Sequence, residues 1–260
     1  ARIWTKYLHE KGYISCDEPF KKLFHQGMIL GANGIKMGKR FPEFAINPTD
    51  IVKKYGADTL RLYEMFMGPL EASKPWSDQG VEGARRFIDR VYRLFAESNS
   101  VVKEEVPELD FIYHQTVKKV TEDYEHLAFN TAISQMMIFI NEVYRINRIS
   151  QAYAEGFVKL ISCVIPHVGE ELWELLGHSD TIAFAPWPTY DPEKIVCLTV
   201  NMAVSVNGKL RATIEIEKDL EDEVVQEIAL KQDGVIRHLE GKIIKKIIIV
   251  KNKIINIVVV

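Results

Sequence analysis

The chain has 260 residues, which is enough for two domains or one large one. Apolar residues make up 47% and charged residues 27%, and this composition excludes a disordered chain. The formal net charge of −3 excludes a bulk basic attraction to nucleic acid, so any phosphate binding must come from local patches. The cysteines are far apart and lack C-x-x-C spacing, which argues against a zinc site or a disulfide framework. We therefore expect a reducing, cytoplasmic setting; the cysteines are Cys16, Cys163 and Cys197.

Neither end of the sequence predicts a membrane segment, so we expect no membrane partner. The first residues lack the long apolar run of a signal peptide. Lysines divide the apolar tail after residue 242 into short runs, whereas a spanning helix needs about 20 apolar residues. The tail is predicted to form strands.

Residues 1–75 predict one short strand among several helices. A first helix ends at Gly12, and Met28-Ile29-Leu30 forms a strand that enters a basic loop. Asn47 caps the next helix, with Pro48 at its first position and Gly56 at its end. One strand cannot make a complete nucleotide-binding sheet, so this segment is predicted to be the tail end of such a domain.

Residues 76–190 predict a helical bundle. Asp78 is expected to cap the first helix, and four amphipathic helices with short connections follow the 3.6-residue period. Pro166 interrupts the fourth helix and should kink it. Met136 and Met137 are interpreted as core filling rather than as a ligand site.

A proline-rich linker, Ala185-Pro186-Trp187-Pro188, precedes a change from helical to alternating periodicity. Asn207-Gly208 predicts a tight hairpin turn, and a second hairpin is expected about Lys251-Asn252-Lys253. An acidic helix lies between the two hairpins. Residues 196–260 are therefore predicted as a small α+β domain, and the whole chain as multi-domain and mainly α.

The basic loop contains three cations in five residues, Lys36-Met37-Gly38-Lys39-Arg40. Such a cluster suits a polyanion such as a nucleoside triphosphate, although the cluster taken alone is more typical of a solvated charged loop. It is not a P-loop, because Asn33 stands where the first glycine of that motif belongs and Arg40 replaces the hydroxyl residue.

The sequence on both sides of this loop resembles the signature-loop region of class I aminoacyl-tRNA synthetases, and leucyl-tRNA synthetases in particular. The similar stretches are Q-G-M-I-L at residues 26–30 and N-P-T-D-I-V-K-K-Y-G-A-D-T-L-R at residues 47–61. The family carries K-M-S-K-S in the loop, and Lys36, Met37 and Lys39 match it. Gly38 and Arg40 stand where the family has serines, and residues 41–44 replace the usual continuation.

The resemblance implies activation of leucine by ATP. Lys39 and then Lys36 would stabilise the charge that develops on departing pyrophosphate. Met37, Gly38 and Arg40 would complete the ATP-binding loop. Mg²⁺ is expected to accompany ATP as a substrate, and no protein-bound metal site is predicted.

The family also needs an H-I-G-H-type sequence, and none of the seven histidines lies in an H-x-G-H arrangement. The chain is therefore expected to be the carboxy-terminal part, or one subunit, of a leucine–tRNA ligase. A partner chain would carry the rest of the catalytic domain and the editing domain. The alternative is a non-catalytic tRNA-binding or assembly module derived from a synthetase, whereas an unrelated ATP-binding protein is disfavoured because no other phosphate loop is present.

The bundle resembles the anticodon-binding-type domain of the family, and residues 206–211 resemble its leucyl-specific terminal module. Contacts with tRNA(Leu) are expected from basic residues in both. These are Arg85, Arg86 and Arg90, with Arg93 nearby, and Lys209, Arg211, Lys245 and Lys246. A solvated stripe remains open for the arginines, and protection of an edge strand for the terminal lysines. His167 and Trp173 are interpreted as structural residues.

Overall fold

The computed structural model describes residues 1–38, 40–196, 199–239 and 241–260. The chain divides into two compact units, Ala1–Tyr190 and Asp191–Val260, and each unit has a hydrophobic core of its own. The predicted fold class, mainly α with a small terminal α+β part, is confirmed. The predicted domain limits, 1–75, 76–190 and 196–260, stay predictions.

The first part of unit 1 contains a two-stranded parallel sheet and three helices. Its elements are α1 (Arg2–Glu10), β1 (Ile29–Leu30), α2 (Pro48–Tyr55), α3 (Ala57–Phe66) and β2 (Lys74–Pro75), and Ile29 pairs with Lys74. The predicted limits of α2 are confirmed. The Asn47 side chain accepts a hydrogen bond from the Thr49 N–H at 3.0 Å, and Gly56 ends the helix at a φ of +94°.

The second part of unit 1 is a bundle. Its elements are α4 (Asp78–Ala96), β3 (Val101–Val102), α5 (Asp110–Glu125), α6 (Phe129–Ile146), β4 (Ile149–Ser150), α7 (Gln151–Ser162) and α8 (Pro166–Leu175). Strands β3 and β4 form a short parallel pair. Large fully buried side chains, Phe139, Phe157 and Leu94 among them, form the centre of the core. The structural interpretation of Met136 and Trp173 is confirmed, because both are buried.

Two details of the bundle prediction were wrong. Residues 76–190, all of which the structure describes, hold five α-helices rather than four, because the chain leaves helix at Cys163 and Pro166 begins α8 instead of kinking α7. Proline lacks an N–H and clashes with the preceding turn, so it is best accommodated at a first helical position. The cap of α4 is Ser77, whose Oγ accepts from the Gly80 N–H at 3.2 Å, while Asp78 accepts from the Trp76 indole.

Unit 2 is a four-stranded sheet with two helices packed on one face. Its elements are β5 (Thr199–Val206), β6 (Lys209–Glu217), α9 (Asp222–Leu230), α10 (Asp233–Leu239), β7 (Ile244–Val250) and β8 (Ile254–Val259), with the strand order β6-β5-β8-β7. Strands β5 and β8 run parallel, and both hairpins are antiparallel. Asn207 and Gly208 have φ values of +48° and +76°, so the predicted turn is confirmed.

Across the part of the chain that the structure describes, no helix combines the length and apolar character needed to cross a membrane.

Candidate functional site

The basic loop lies between β1 and α2 and begins at a closed turn. The Gly31 N–H donates to the Ile35 carbonyl at 2.9 Å, and the Asn33 side chain accepts from the Ile35 N–H at 3.0 Å. Leu30 then forms an isolated antiparallel bridge with Lys36. This turn gives Lys36 a defined backbone position with an exposed side chain. Lys39, the main predicted ATP contact, lies outside the described residues.

Met37 holds the two ends of the loop together. It is partly buried and packs against the core of unit 1, and its Sδ accepts a hydrogen bond from the Ile46 N–H at 3.4 Å. Ile46 directly precedes the cap of α2. Met37 therefore has a structural role in joining the loop to the start of α2. Its contact with ATP stays a prediction.

Gly38 and Arg40 lie on the exposed side of the loop. A Cβ atom built at Gly38 meets no atom within 4 Å, so the family's serine would fit there. The Arg40 guanidinium lies 5.5 Å from the centre of the Phe41 ring, and a short 3₁₀ helix, Pro42–Phe44, follows.

The described cations of the loop, Lys36 and Arg40, are not neutralised by carboxylates among the described residues. Among the residues that the structure describes, neither Lys36 nor Arg40 forms an ion pair, whereas Lys119 and Lys231 both do. Unpaired surface cations on one loop attract a polyanion at short range. The loop can therefore supply at least two free positive charges to a phosphate chain.

A small cavity of about 90 Å³ lies beside β1. Loss of water shifts the pKa of two titratable groups that line it. Burial raises the pKa of the Glu64 carboxyl, and desolvation lowers the pKa of the Lys74 ammonium. Both directions disfavour the charged form, as expected where polar side chains meet apolar surface. Lys74 belongs to β2, which pairs with β1, and Glu64 belongs to α3.

The arginines of α4 differ in how firmly they are held. Arg85 pairs with Asp89 at 2.9 Å, whereas Arg90 donates to the Asn141 side chain at 2.9 Å and lies over the Tyr144 ring. Arg86 and Arg90 line an open, largely apolar cavity of about 660 Å³ beside Phe87. Helical spacing brings the predicted residues Arg86 and Arg90 together, while Arg85 is engaged elsewhere.

The predicted basic residues of unit 2 lie on opposite edges of its sheet. Lys209 and Arg211 belong to β6, and Lys245 and Lys246 belong to β7. With two strands between these edges, the groups are about 14 Å apart across the sheet. Arg211 is half-buried, and its Nε has no hydrogen-bond partner among the described residues. The structure does not bring these four residues into one patch.

One hydrogen bond between α3 and α8 was not predicted from the sequence. Asp58, at the start of α3, is buried and accepts a hydrogen bond from His167 Nδ1 at 2.7 Å. The structural interpretation of His167 is confirmed, but its partner was not identified. An acid in the first turn of a helix is common and carries no signal of a distant contact.

Two known families match the sequence. Residues 4–74 match the tRNA synthetases class I (I, L, M and V), and residues 108–226 match the anticodon-binding domain of tRNA ligase. A solved structure also matches: the ternary complex of Agrobacterium radiobacter K84 agnB2 LeuRS, tRNA and LeuAMS, with a TM-score of 0.68 and 31% identity. The match covers 100% of this chain and 36% of that chain.

The chain is therefore similar to class I tRNA synthetases in its first part and to the anticodon-binding domain of tRNA ligase in the part that follows. The resemblance to leucyl-tRNA synthetase is confirmed along the whole chain, which corresponds to part of such an enzyme. The chain spans about 36% of the length of its structural neighbour.

Proposed function

We propose that this chain supplies the ATP-stabilising signature loop and the tRNA-binding parts of a leucine–tRNA ligase. The observation that carries the proposal is the similarity to a LeuRS over the whole chain, at 31% identity, with Lys36 exposed and unpaired among the described residues. Leucine, ATP and tRNA(Leu) are the substrates, and Mg²⁺ enters with ATP.

The proposed chemistry is formation of leucyl-adenylate. The leucine carboxylate attacks the α-phosphate of ATP, a new P–O bond forms, and the bond to pyrophosphate breaks. Negative charge grows on the leaving pyrophosphate. Ammonium groups placed where that charge grows stabilise the transition state more than the bound substrate. Lys39 and Lys36 have this role, and Arg40 adds a further cation where the family has serine.

A partner chain completes the catalytic domain in this proposal. Exposed apolar side chains in residues 1–35 support it, since α1 buries none of its residues. They include Ile3, Trp4, Tyr13, Phe20 and Leu23. The parallel pair β1–β2 is only two residues long, and parallel strands normally lie inside a larger covered sheet. The partner carries the H-I-G-H-type sequence and the editing domain, and it should co-purify with this chain.

The experiment that tests the function is pyrophosphate exchange by the complete enzyme. We expect Lys39→Ala to lower the rate by roughly 10²–10³, the usual cost of one preorganised donor, and Lys36→Ala to lower it less. Lys103→Ala, at an exposed lysine just after β3, is the matched control and should leave the rate unchanged. Exchange that is unaffected by Lys39→Ala would reject the assignment.

A non-catalytic tRNA-binding module is the second candidate. The observation in its favour is the replacement of both family serines by Gly38 and Arg40. If the unsubstituted complex binds tRNA(Leu) but does not exchange pyrophosphate, this second function is the correct one.

The proposed tRNA contacts divide between the units. In unit 1, Arg86 and Arg90 line the apolar cavity, so guanidinium groups beside an apolar surface are available to RNA. Arg85 is a weaker candidate because Asp89 already pairs with it. In unit 2 the contacts are assigned to Lys209, Arg211, Lys245 and Lys246.

A further inference from the structure

We propose that Asp58 is a positioning residue that couples the helical bundle to the basic loop. Its carboxylate joins the start of α3 to the start of α8, and α2 continues that connection to the loop. The activity readout below rests on the proposed function, whereas the hydrogen-exchange readout does not.

The carboxylate of Asp58 has both oxygens engaged by α8. Asp58 Oδ1 accepts from His167 Nδ1 at 2.7 Å, and Oδ2 accepts from the Val168 backbone N–H at 2.8 Å. Only 6% of the Asp58 surface is exposed. A buried carboxylate needs such partners, because an unpaired one would lose its hydration without compensation.

The carboxylate of Asp58 in turn supplies a hydrogen-bond acceptor at the start of α8. Ile165 precedes α8 and cannot cap it, and the first turn contains no acidic residue. The first N–H groups of a helix lack partners within the helix and carry a partial positive charge. Asp58 therefore acts as the cap of a helix that begins 108 residues later in the chain.

A second contact holds the joint between α2 and α3. Arg85 of α4 donates to the Tyr55 carbonyl at 3.2 Å, and the Thr59 hydroxyl donates to the same carbonyl at 2.8 Å. Gly56 allows the sharp turn between the helices with its φ of +94°. The bundle thus holds the joint from two helices, α4 and α8.

Helix α2 connects the turn at Gly56 to the basic loop. Helix α2 has eight residues, a length of about 12 Å, and starts at the Asn47 cap. Ile46, directly before it, donates to Met37 Sδ inside the loop. A shift of α8 relative to α3 would therefore move the end of the loop and its cations.

The test compares two substitutions of His167 in the complete enzyme. The His167 side chain is 71% exposed, so its removal leaves no cavity in the core. His167→Ala deletes the donor, whereas His167→Asn places an amide donor near the position of Nδ1. We expect His167→Ala to lower kcat of pyrophosphate exchange about tenfold with little change in the KM for leucine, since small displacements of catalytic groups act on kcat. His167→Asn should restore kcat to within about twofold of the unsubstituted enzyme.

Amide hydrogen exchange supplies the second readout. His167→Ala should accelerate exchange in residues 35–46, and His167→Asn should not. Unchanged exchange in the loop of His167→Ala, or equal loss of kcat in both variants, would overturn the coupling. A complex whose unsubstituted form lacks pyrophosphate exchange would refute the proposed function instead, and the loop amides would still decide the coupling.

Discussion

Gly38 stands where the resembling synthetases have serine, and no steric clash explains the glycine. Nothing lies within 4 Å of a Cβ built there, and its backbone is outside the left-handed region. The glycine therefore makes the backbone more flexible rather than avoiding a clash, and in the proposed function ordering of the loop around ATP would cost more backbone entropy.

We expect Gly38→Ser to leave the free energy of unfolding unchanged or to raise it by up to about 1 kcal/mol, because the substitution restricts the unfolded chain. Urea unfolding followed by circular dichroism measures this. Gly27→Ala is the matched control, since its Cβ would lie 2.3 Å from the Ala72 backbone. That variant should lose about 1–3 kcal/mol. Equal losses in the two variants would contradict the open environment of Gly38.

Strand β7 lies at the edge of its sheet, and its adjacent lysines, Lys245 and Lys246, are both exposed. Lysines on an edge strand hinder pairing with other chains, and lysines beside RNA neutralise phosphates. Phosphate neutralisation makes the affinity for RNA depend on salt concentration, whereas edge protection does not.

We expect Lys245→Ala and Lys246→Ala each to weaken tRNA(Leu) binding and to reduce the slope of log affinity against log salt by about 1. Fluorescence titration between roughly 50 and 200 mM salt gives this slope. Lys218→Ala, at an exposed lysine just after β6, is the control and should keep it. An unchanged slope accompanied by stronger self-association would assign these lysines to edge protection.

The whole molecule has two separate hydrophobic cores, one in each unit. The core of unit 1 unites residues from α3 to α8, whereas unit 2 buries one face of its sheet under α9 and α10. Unit 2 comprises only residues 191–260, so each fully buried side chain contributes a large share of its stability.

Ile257→Ala should therefore lower the stability of unit 2 by about 2–5 kcal/mol, because Ile257 is fully buried. Ile248→Ala is the control on the neighbouring strand, where the residue is 43% exposed, and should cost far less. Hydrogen exchange of the amides in β5 and β8 of the whole chain measures both. Equal costs for the two substitutions would contradict the assignment of the core face.

Local rules account for the features that the sequence predicted well. Asn47, Pro48 and Gly56 define α2 because capping, a fixed φ and a positive φ each depend on neighbouring atoms only. Asn207 and Gly208 form the hairpin turn for the same reason. Choices between adjacent candidates were harder. Ser77 rather than Asp78 caps α4, because Asp78 is already bonded to the Trp76 indole.

The amino-acid sequence by itself determined helix α2, the turn at Asn207-Gly208, the basic loop and its resemblance to the synthetases, since periodicity, turn chemistry and motif spacing are properties of short stretches. Only the tertiary structure decided that Pro166 separates two helices, that Met37 packs inward, and that Asp58 caps α8. These outcomes depend on which distant groups meet in the folded chain. A buried carboxylate and an unpaired helix start satisfy each other only after the bundle has brought them together.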